Sequence, residues 1–272
     1  MSSEQLMEFT CLIKMEKEND VFNYYHIHHV SILHQGQRSK VLMGVSNITP
    51  DKKFAIKLMP LHHAKDTNRF AHELRMMNHL ADIPGVVPLL TPFISGHTGY
   101  LVMPYYGKGD LLSQIGNFND YSWFKVLVNT AVSLQSLHKK RIYHQAMMPE
   151  NILLTRSNNP YISDFGAARK LSEGCDKVDT WTAPSGFRGP EADREEGGEF
   201  CPFQMDTYSL AVSMWQALSG LCPAIYHPLD HLEYIPPQYA HFLMYLLLPD
   251  PDKRWTLAKF LNEVLVLHPE LF

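Results

Sequence analysis

Residues 143–151 read Tyr143-His144-Gln145-Ala146-Met147-Met148-Pro149-Glu150-Asn151, and thirteen positions after Asn151 the chain reads Asp164-Phe165-Gly166. Two short apolar runs lie between these stretches, Ile152-Leu153-Leu154 and Tyr161-Ile162-Ser163, each the length of a small strand. Upstream, Trp123, Phe124, Leu127, Val128, Ala131, Leu134 and Leu137 recur at helical spacing and predict a strongly apolar helix. Downstream, residues 167–204 are rich in Gly, Glu and Asp and predict irregular chain. Helices are predicted after that near 205–219, 236–248 and 256–267.

The first hundred residues lean towards strand. Val30-Ser31-Ile32-Leu33 and Val41-Leu42-Met43-Gly44-Val45 flank a polar turn. Phe54-Ala55-Ile56-Lys57-Leu58 is an apolar run interrupted by one lysine, and Tyr100-Leu101-Val102-Met103 is another such run. One helix breaks the series, with Phe70, Leu74, Met77 and Leu80 on one face and Asp66 or Thr67 as its expected cap. After Gly107-Lys108-Gly109 the character turns helical. The plan is a β-rich small lobe, a linker near 104–109 and a helical large lobe.

The chain has 272 residues, 45% of them hydrophobic and 19% charged, the balance of a globular protein. A formal charge of −4 gives no electrostatic case for nucleic acid or an anionic membrane surface. Cys11, Cys175, Cys201 and Cys222 form no CxxC pair and no zinc pattern, so reduced thiols in a cytosol-like compartment are expected. No apolar run has the length of a membrane span. The polar start Met1-Ser2-Ser3-Glu4 shows no basic-then-apolar signal pattern, and Ser2 stands where a Gly would suggest myristoylation, so neither is expected. An intracellular, cytoplasmic location follows as an expectation, the host cytoplasm if the chain is a viral or bacterial effector. Of fifteen histidines, the groups His26, His28, His29 and His62, His63 are not accompanied by HExxH, so packing or surface roles are expected.

Taken in order, the motifs resemble a eukaryotic-type protein kinase domain, from about Ile32 to Leu267. The resemblance implies an α+β, bilobal fold within a single domain 1–272: a β-rich N-lobe with one helix (1–103), a hinge (104–109) and a mainly helical C-lobe (110–272). It also implies ATP and Mg2+ as ligands, and a protein substrate or regulatory protein as partner. Ala55-Ile56-Lys57 resembles the strand whose lysine grips the α/β-phosphates, with Glu73 on the following helix as its ion-pair partner. The phosphate-covering loop of the family reads Leu-Gly-x-Gly-x-x-Gly-x-Val. This chain has Leu33-His34-Gln35-Gly36-Gln37-Arg38-Ser39-Lys40-Val41 there and keeps only Gly36. Fewer glycines leave a stiffer loop whose amides approach phosphate less closely.

By the same resemblance Met103 is the gatekeeper, the Pro104 carbonyl and the Tyr106 amide and carbonyl face adenine, and Leu33, Val41, Ala55 and Leu153 line the nucleotide. Asp110 stands where an acidic residue meets ribose or substrate, and a helix cap is an equal reading. Asp164 is the metal aspartate and Asn151 the ligand of a second ion, since Mg2+ takes hard oxygen donors. His144, Phe165, Gly166, Glu191, Asp206 and Arg254 are expected to be structural. Glu191 and Arg254 should form a buried ion pair, and Asp206 should anchor the catalytic-loop backbone.

The catalytic loop departs from the family's His-Arg-Asp-Leu-Lys-Pro-Glu-Asn. His144, Pro149, Glu150 and Asn151 agree. Gln145 replaces the arginine that pairs with a phosphorylated activation loop. Ala146 replaces the aspartate that accepts the substrate proton, and Met148 replaces the lysine that steadies the phosphoryl group. A general base is worth ~10²–10⁴-fold, so its loss leaves slow transfer at best. The substrate-side threonine is not evident: Pro184 holds the position seven before Glu191, with Thr182 and Ser185 nearby.

Three readings stay open. The chain is a pseudokinase that binds nucleotide or a partner and signals by conformation. Alternatively, it is a serine/threonine protein kinase carrying an inactivating Asp-to-Ala substitution. The last alternative is a nucleotide-free interaction scaffold. The acidic run Asp193-Arg194-Glu195-Glu196-Gly197-Gly198-Glu199 is expected to be a solvated loop, with selection of a basic partner as its functional alternative.

Overall fold

Alternation decides the first half of the chain. In the strand Lys40–Ser46 (β3), Leu42, Gly44 and Ser46 turn inward while the residues between them stay partly exposed. The neighbouring strands are Ile27–Gln35 (β2), Lys53–Pro60 (β4), Thr91–Ser95 (β5) and Thr98–Pro104 (β6). With Ile13–Met15 (β1) they form a six-stranded sheet of order β1-β5-β6-β4-β3-β2, in which only β1 on β5 is parallel. The computed structural model describes residues 13–15, 22–23, 26–36, 38–117, 119–192 and 198–271. Ser2, Cys11, Gln37 and the acidic run Asp193–Gly197 lie outside them.

The chain divides into two compact units, Met1–Asp82 with Val87–Tyr105, and Ile83–Val86 with Tyr106–Phe272. In the first unit Ile27, Leu42, Ile56, Phe93, Tyr100 and Val102 make the core, with the rings of Phe93 and Tyr100 stacked at 4.7 Å. The helix Ala64–His79 (α1) buries Phe70, Ala71, Leu74 and Met77 on one face. Phe70 lies so close over Gly99 that a Cβ there would sit 2.6 Å from the ring, which explains glycine at this point of β6. The expected cap is displaced: α1 begins at Ala64 after an extended His63, and Asp66 accepts the His63 N–H at 3.2 Å from inside the first turn.

The second unit is built on buried helices. Asp120–Lys139 (α2) is capped by the Asn119 side chain, which accepts from Ser122 N at 2.8 Å. Its apolar stripe is fully buried, and Trp123 Nε1 donates to Met214 O at 2.9 Å. Pro202–Ser219 (α3) starts three residues earlier than the sequence predicts because Pro202 occupies the first turn, where its missing N–H costs nothing. It ends at Gly220 with φ 73°, a left-handed C-cap. Pro237–Leu246 (α4) and Leu257–Leu267 (α5) follow, and Phe124 stacks on Tyr239 at 4.4 Å.

The small strands Ile142–Tyr143 (β7), Ile152–Leu154 (β8), Pro160–Ile162 (β9) and Arg169–Lys170 (β10) pair as β8–β9 and β7–β10. β10 falls inside the stretch expected to be irregular. Two residues carry no periodicity, so only its partner β7 defines it. The resulting architecture is the α+β, bilobal kinase-like fold, with a β-rich first unit and a mainly helical second.

Candidate functional site

In the first unit, strand register brings several predicted residues together. Val41 lies opposite Lys57 across β3–β4, and Ala55 lies opposite Met103 across β4–β6. Pro104 pairs with Phe54 at the end of β6. Lys57 Nζ donates to Glu73 Oε1 at 2.6 Å, with both side chains buried. A charge-assisted bond of this length fixes the ammonium on β4 against α1. Gly36 sits in the β2–β3 turn, its N–H donating to Ser39 O at 2.9 Å. Leu33, expected to line a ligand, is 43% exposed.

In the second unit, Asp206 is the hub. Its side chain is fully buried on α3 and accepts from three donors: His144 N at 2.7 Å, Gln145 N at 2.9 Å and His138 Nε2 at 3.1 Å. These bonds hold the chain at Gln145 in a left-handed turn, φ 65°. His144 Nε2 meets Ser163 O at 3.0 Å, and its ring stands edge-on to Phe165 at 5.1 Å. Burial pushes the His144 imidazole below its ordinary pKa, against the smaller opposing pull of Asp206 and Asp164. His144, Phe165 and Asp206 thus form one buried knot beneath the loop.

Asn151 and Asp164 are joined through the backbone, since Ser163 N donates to Asn151 O at 2.9 Å. Asn151 Nδ2 donates to Ala146 O at 2.9 Å. That bond engages the amide nitrogen and leaves Oδ1 as the acceptor atom of the side chain. Asp164 has φ 60°, and its Oδ1 accepts from Gly166 N at 3.4 Å. Two oxygen-bearing side chains held this way suit Mg2+, a hard cation that keeps water and phosphate oxygens as its remaining ligands. Among the described residues, no group of three His, Cys, Asp or Glu side chains could hold a metal on its own.

Ala146 presents only a methyl group beside this pair. Its N–H donates to His144 Nδ1 at 3.2 Å, and its carbonyl receives Asn151 and Met148 N. Met148 is half-buried and uncharged. Leu153 and Asp110 form an isolated bridge. Asp110 Oδ1 accepts from Ser113 N at 2.7 Å, in the short turn that follows. Tyr106 O accepts from Gly109 N at 3.0 Å. The Tyr106 ring is buried against Tyr161 at 4.7 Å, and burial drives its phenol pKa far up.

The expected scaffold pair is present. Arg254 binds Glu191 through Nη1 to Oε1 at 2.6 Å and Nη2 to Oε2 at 2.9 Å, with the Tyr208 ring 4.7 Å from the guanidinium. Sequence reasoning missed three contacts. Ser213 Oγ donates to Met147 O at 2.6 Å, and His138 joins the Asp206 hub. Thr182 Oγ1 donates to Gln145 Oε1 at 3.2 Å. Only the last left a trace in the sequence, in a glutamine where an arginine is expected and a threonine two residues out of place.

The protein kinase domain family matches residues 27–266. This chain belongs to that family. Serine/threonine-protein kinase PknK of Mycobacterium tuberculosis is 31% identical to it over 210 residues, 75% of this chain and 18% of that protein. Human Rho-associated protein kinase 1 is 26% identical over 200 residues, 71% of this chain and 15% of that protein. The chain spans less than a fifth of the length of these relatives. No described helix is long and apolar enough to cross a membrane.

Proposed function

We propose that this chain is a pseudokinase, a protein kinase domain that takes up a nucleotide and signals by conformation to a protein partner. One observation carries the reading. At position 146 a methyl group replaces a proton acceptor, while the Lys57–Glu73 pair and the Asn151 amide are both set. Lys57 would hold the α/β-phosphates, and Asn151 and Asp164 would hold Mg2+. Bound there, Mg2+ would neutralise phosphate charge. Ala146 accepts no proton and Met148 offers no charge, so the loop binds without activating a hydroxyl.

The same set Lys57 and Asn151 favour a second reading, a serine/threonine protein kinase whose catalytic Asp has become Ala146. Both readings predict that ATP with Mg2+ raises the melting temperature, by about 2.7 kcal/mol of stability at ~100 Kd. An unchanged melting temperature would leave the nucleotide-free scaffold. Ala146→Asp separates the first two: the pseudokinase reading expects no phosphate transfer to a generic basic protein above background. Robust transfer by Ala146→Asp would instead establish the kinase reading.

A further inference from the structure

Gln145 does more than fill the place of an arginine. The residue is 5% exposed, and its amide is bonded at both ends. Nε2 donates to Ala167 O at 3.1 Å, and Oε1 accepts from Thr182 Oγ1 at 3.2 Å. The backbone is held independently by Asp206, so the amide has a fixed origin. Thr182 itself is exposed. It lies in a stretch tied down at several other points. Val178 and Phe200 exchange two backbone bonds of 2.9 Å, Trp181 stacks on Tyr143 at 5.9 Å, and Phe187 O accepts from Ser209 Oγ at 2.7 Å.

The direction of the bonds matters. Because Nε2 is turned to the Ala167 carbonyl, only oxygen lone pairs face Thr182, and the hydroxyl must be the donor. An arginine would reward a phosphate on this segment. An amide oxygen penalises it. We infer that Gln145 and Thr182 form a latch that reads the unmodified hydroxyl, and that phosphorylation of Thr182 unseats the segment 171–189 instead of seating it.

In that step a separate protein kinase transfers the γ-phosphoryl group of a nucleoside triphosphate to Thr182. The Oγ1–P bond forms, the bond to the β-phosphate bridging oxygen breaks, and the hydroxyl proton leaves to solvent. The product has no proton to give Gln145, and it sets a dianion near the Asp206 hub. The inference rests on the reading that this chain signals through conformation.

Hydrogen exchange of the nucleotide-free protein tests it, so that failure to bind nucleotide does not enter. Peptides covering 171–189 report the latch and peptides covering 202–219 serve as control. Thr182→Ser keeps the donor and should match the wild type. Thr182→Val should speed exchange in 171–189 about fivefold, the worth of one net hydrogen bond, and Gln145→Ala at least as much because it also removes the Ala167 contact, with 202–219 unchanged. The double variant should be no faster than the faster single variant, because both remove the same contact. Thr182→Glu should exchange at least as fast as Thr182→Val. The latch is overturned if Thr182→Val exchanges like wild type or the two single effects add. Slower exchange in Thr182→Glu than in wild type would overturn the sign.

Discussion

Arg254 and Glu191 meet through two parallel contacts, 2.6 Å and 2.9 Å, with neither side chain more than 4% exposed as a residue. The guanidinium also donates to Leu248 O at 2.9 Å and Gln204 O at 3.0 Å, so a single side chain ties together the start of α3, the turn before α5 and the stretch around Glu191. Arg254→Ala leaves the carboxylate buried without its partner. The expected cost is ~3–5 kcal/mol, a fall in Tm on the order of 10 °C. The double variant Glu191→Leu with Arg254→Met should recover only part of this, since the Leu248 and Gln204 carbonyls lose the donor that Arg254 supplies. Urea unfolding of the three proteins measures it, and a full recovery would show that the carbonyl contacts contribute nothing.

Asp206→Ala strips the acceptor from two buried backbone N–H groups, at His144 and Gln145. At ~1–3 kcal/mol for each orphaned group, this variant should lose at least 2 kcal/mol or so. It should also free the left-handed turn at Gln145. Unfolding free energy, together with hydrogen exchange at residues 143–148, gives the check.

Lys57→Met should abolish the melting-temperature response to ATP with Mg2+. Glu73→Gln should retain it at about tenfold weaker affinity, because a charge-assisted bond becomes a neutral one. Titration calorimetry separates the two. Equal loss in both variants would mean that Glu73 does more than orient the ammonium.

The His144 imidazole is pushed down by burial, so the folded protein resists taking a proton there while the unfolded chain accepts it near pH 6.5. With more protons bound in the unfolded state, stability rises with pH across this window and falls as pH drops below ~6.5. Between pH 7.5 and 5.5 the loss from this group should run in that direction, lower stability at the lower pH. His144→Gln should flatten that part of the profile in urea unfolding series at the two pH values. An unchanged slope would exclude His144 as its source.

Much of this was legible in the sequence. Helices α2 and α5 carry long apolar stripes, and β3, β4 and β6 alternate or run apolar, so local pattern and burial agree. The Lys57–Glu73 and Glu191–Arg254 pairs were readable because the motifs that carry them resemble those of the kinase family, in which these charges pair. What escaped was set by single tertiary partners. β10 exists only through β7, and the start of α1 moved because Asp66 acts from within the first turn. The Asp110 side chain had two equal readings, and in the structure it accepts from Ser113 N. The Gln145–Thr182 bond spans 37 residues of chain and involves two neutral side chains, so neither charge nor periodicity announces it.

Trp181 offers an optical consequence. Of the four tryptophans, Trp123 and Trp215 are fully enclosed by the large helices, and Trp255 lies flat on Tyr245 at 4.4 Å. Trp181 alone sits next to Thr182, between the rings of Tyr143 and Phe200. Its emission colour and quenching should therefore report whether that loop is docked, in real time and without any added dye.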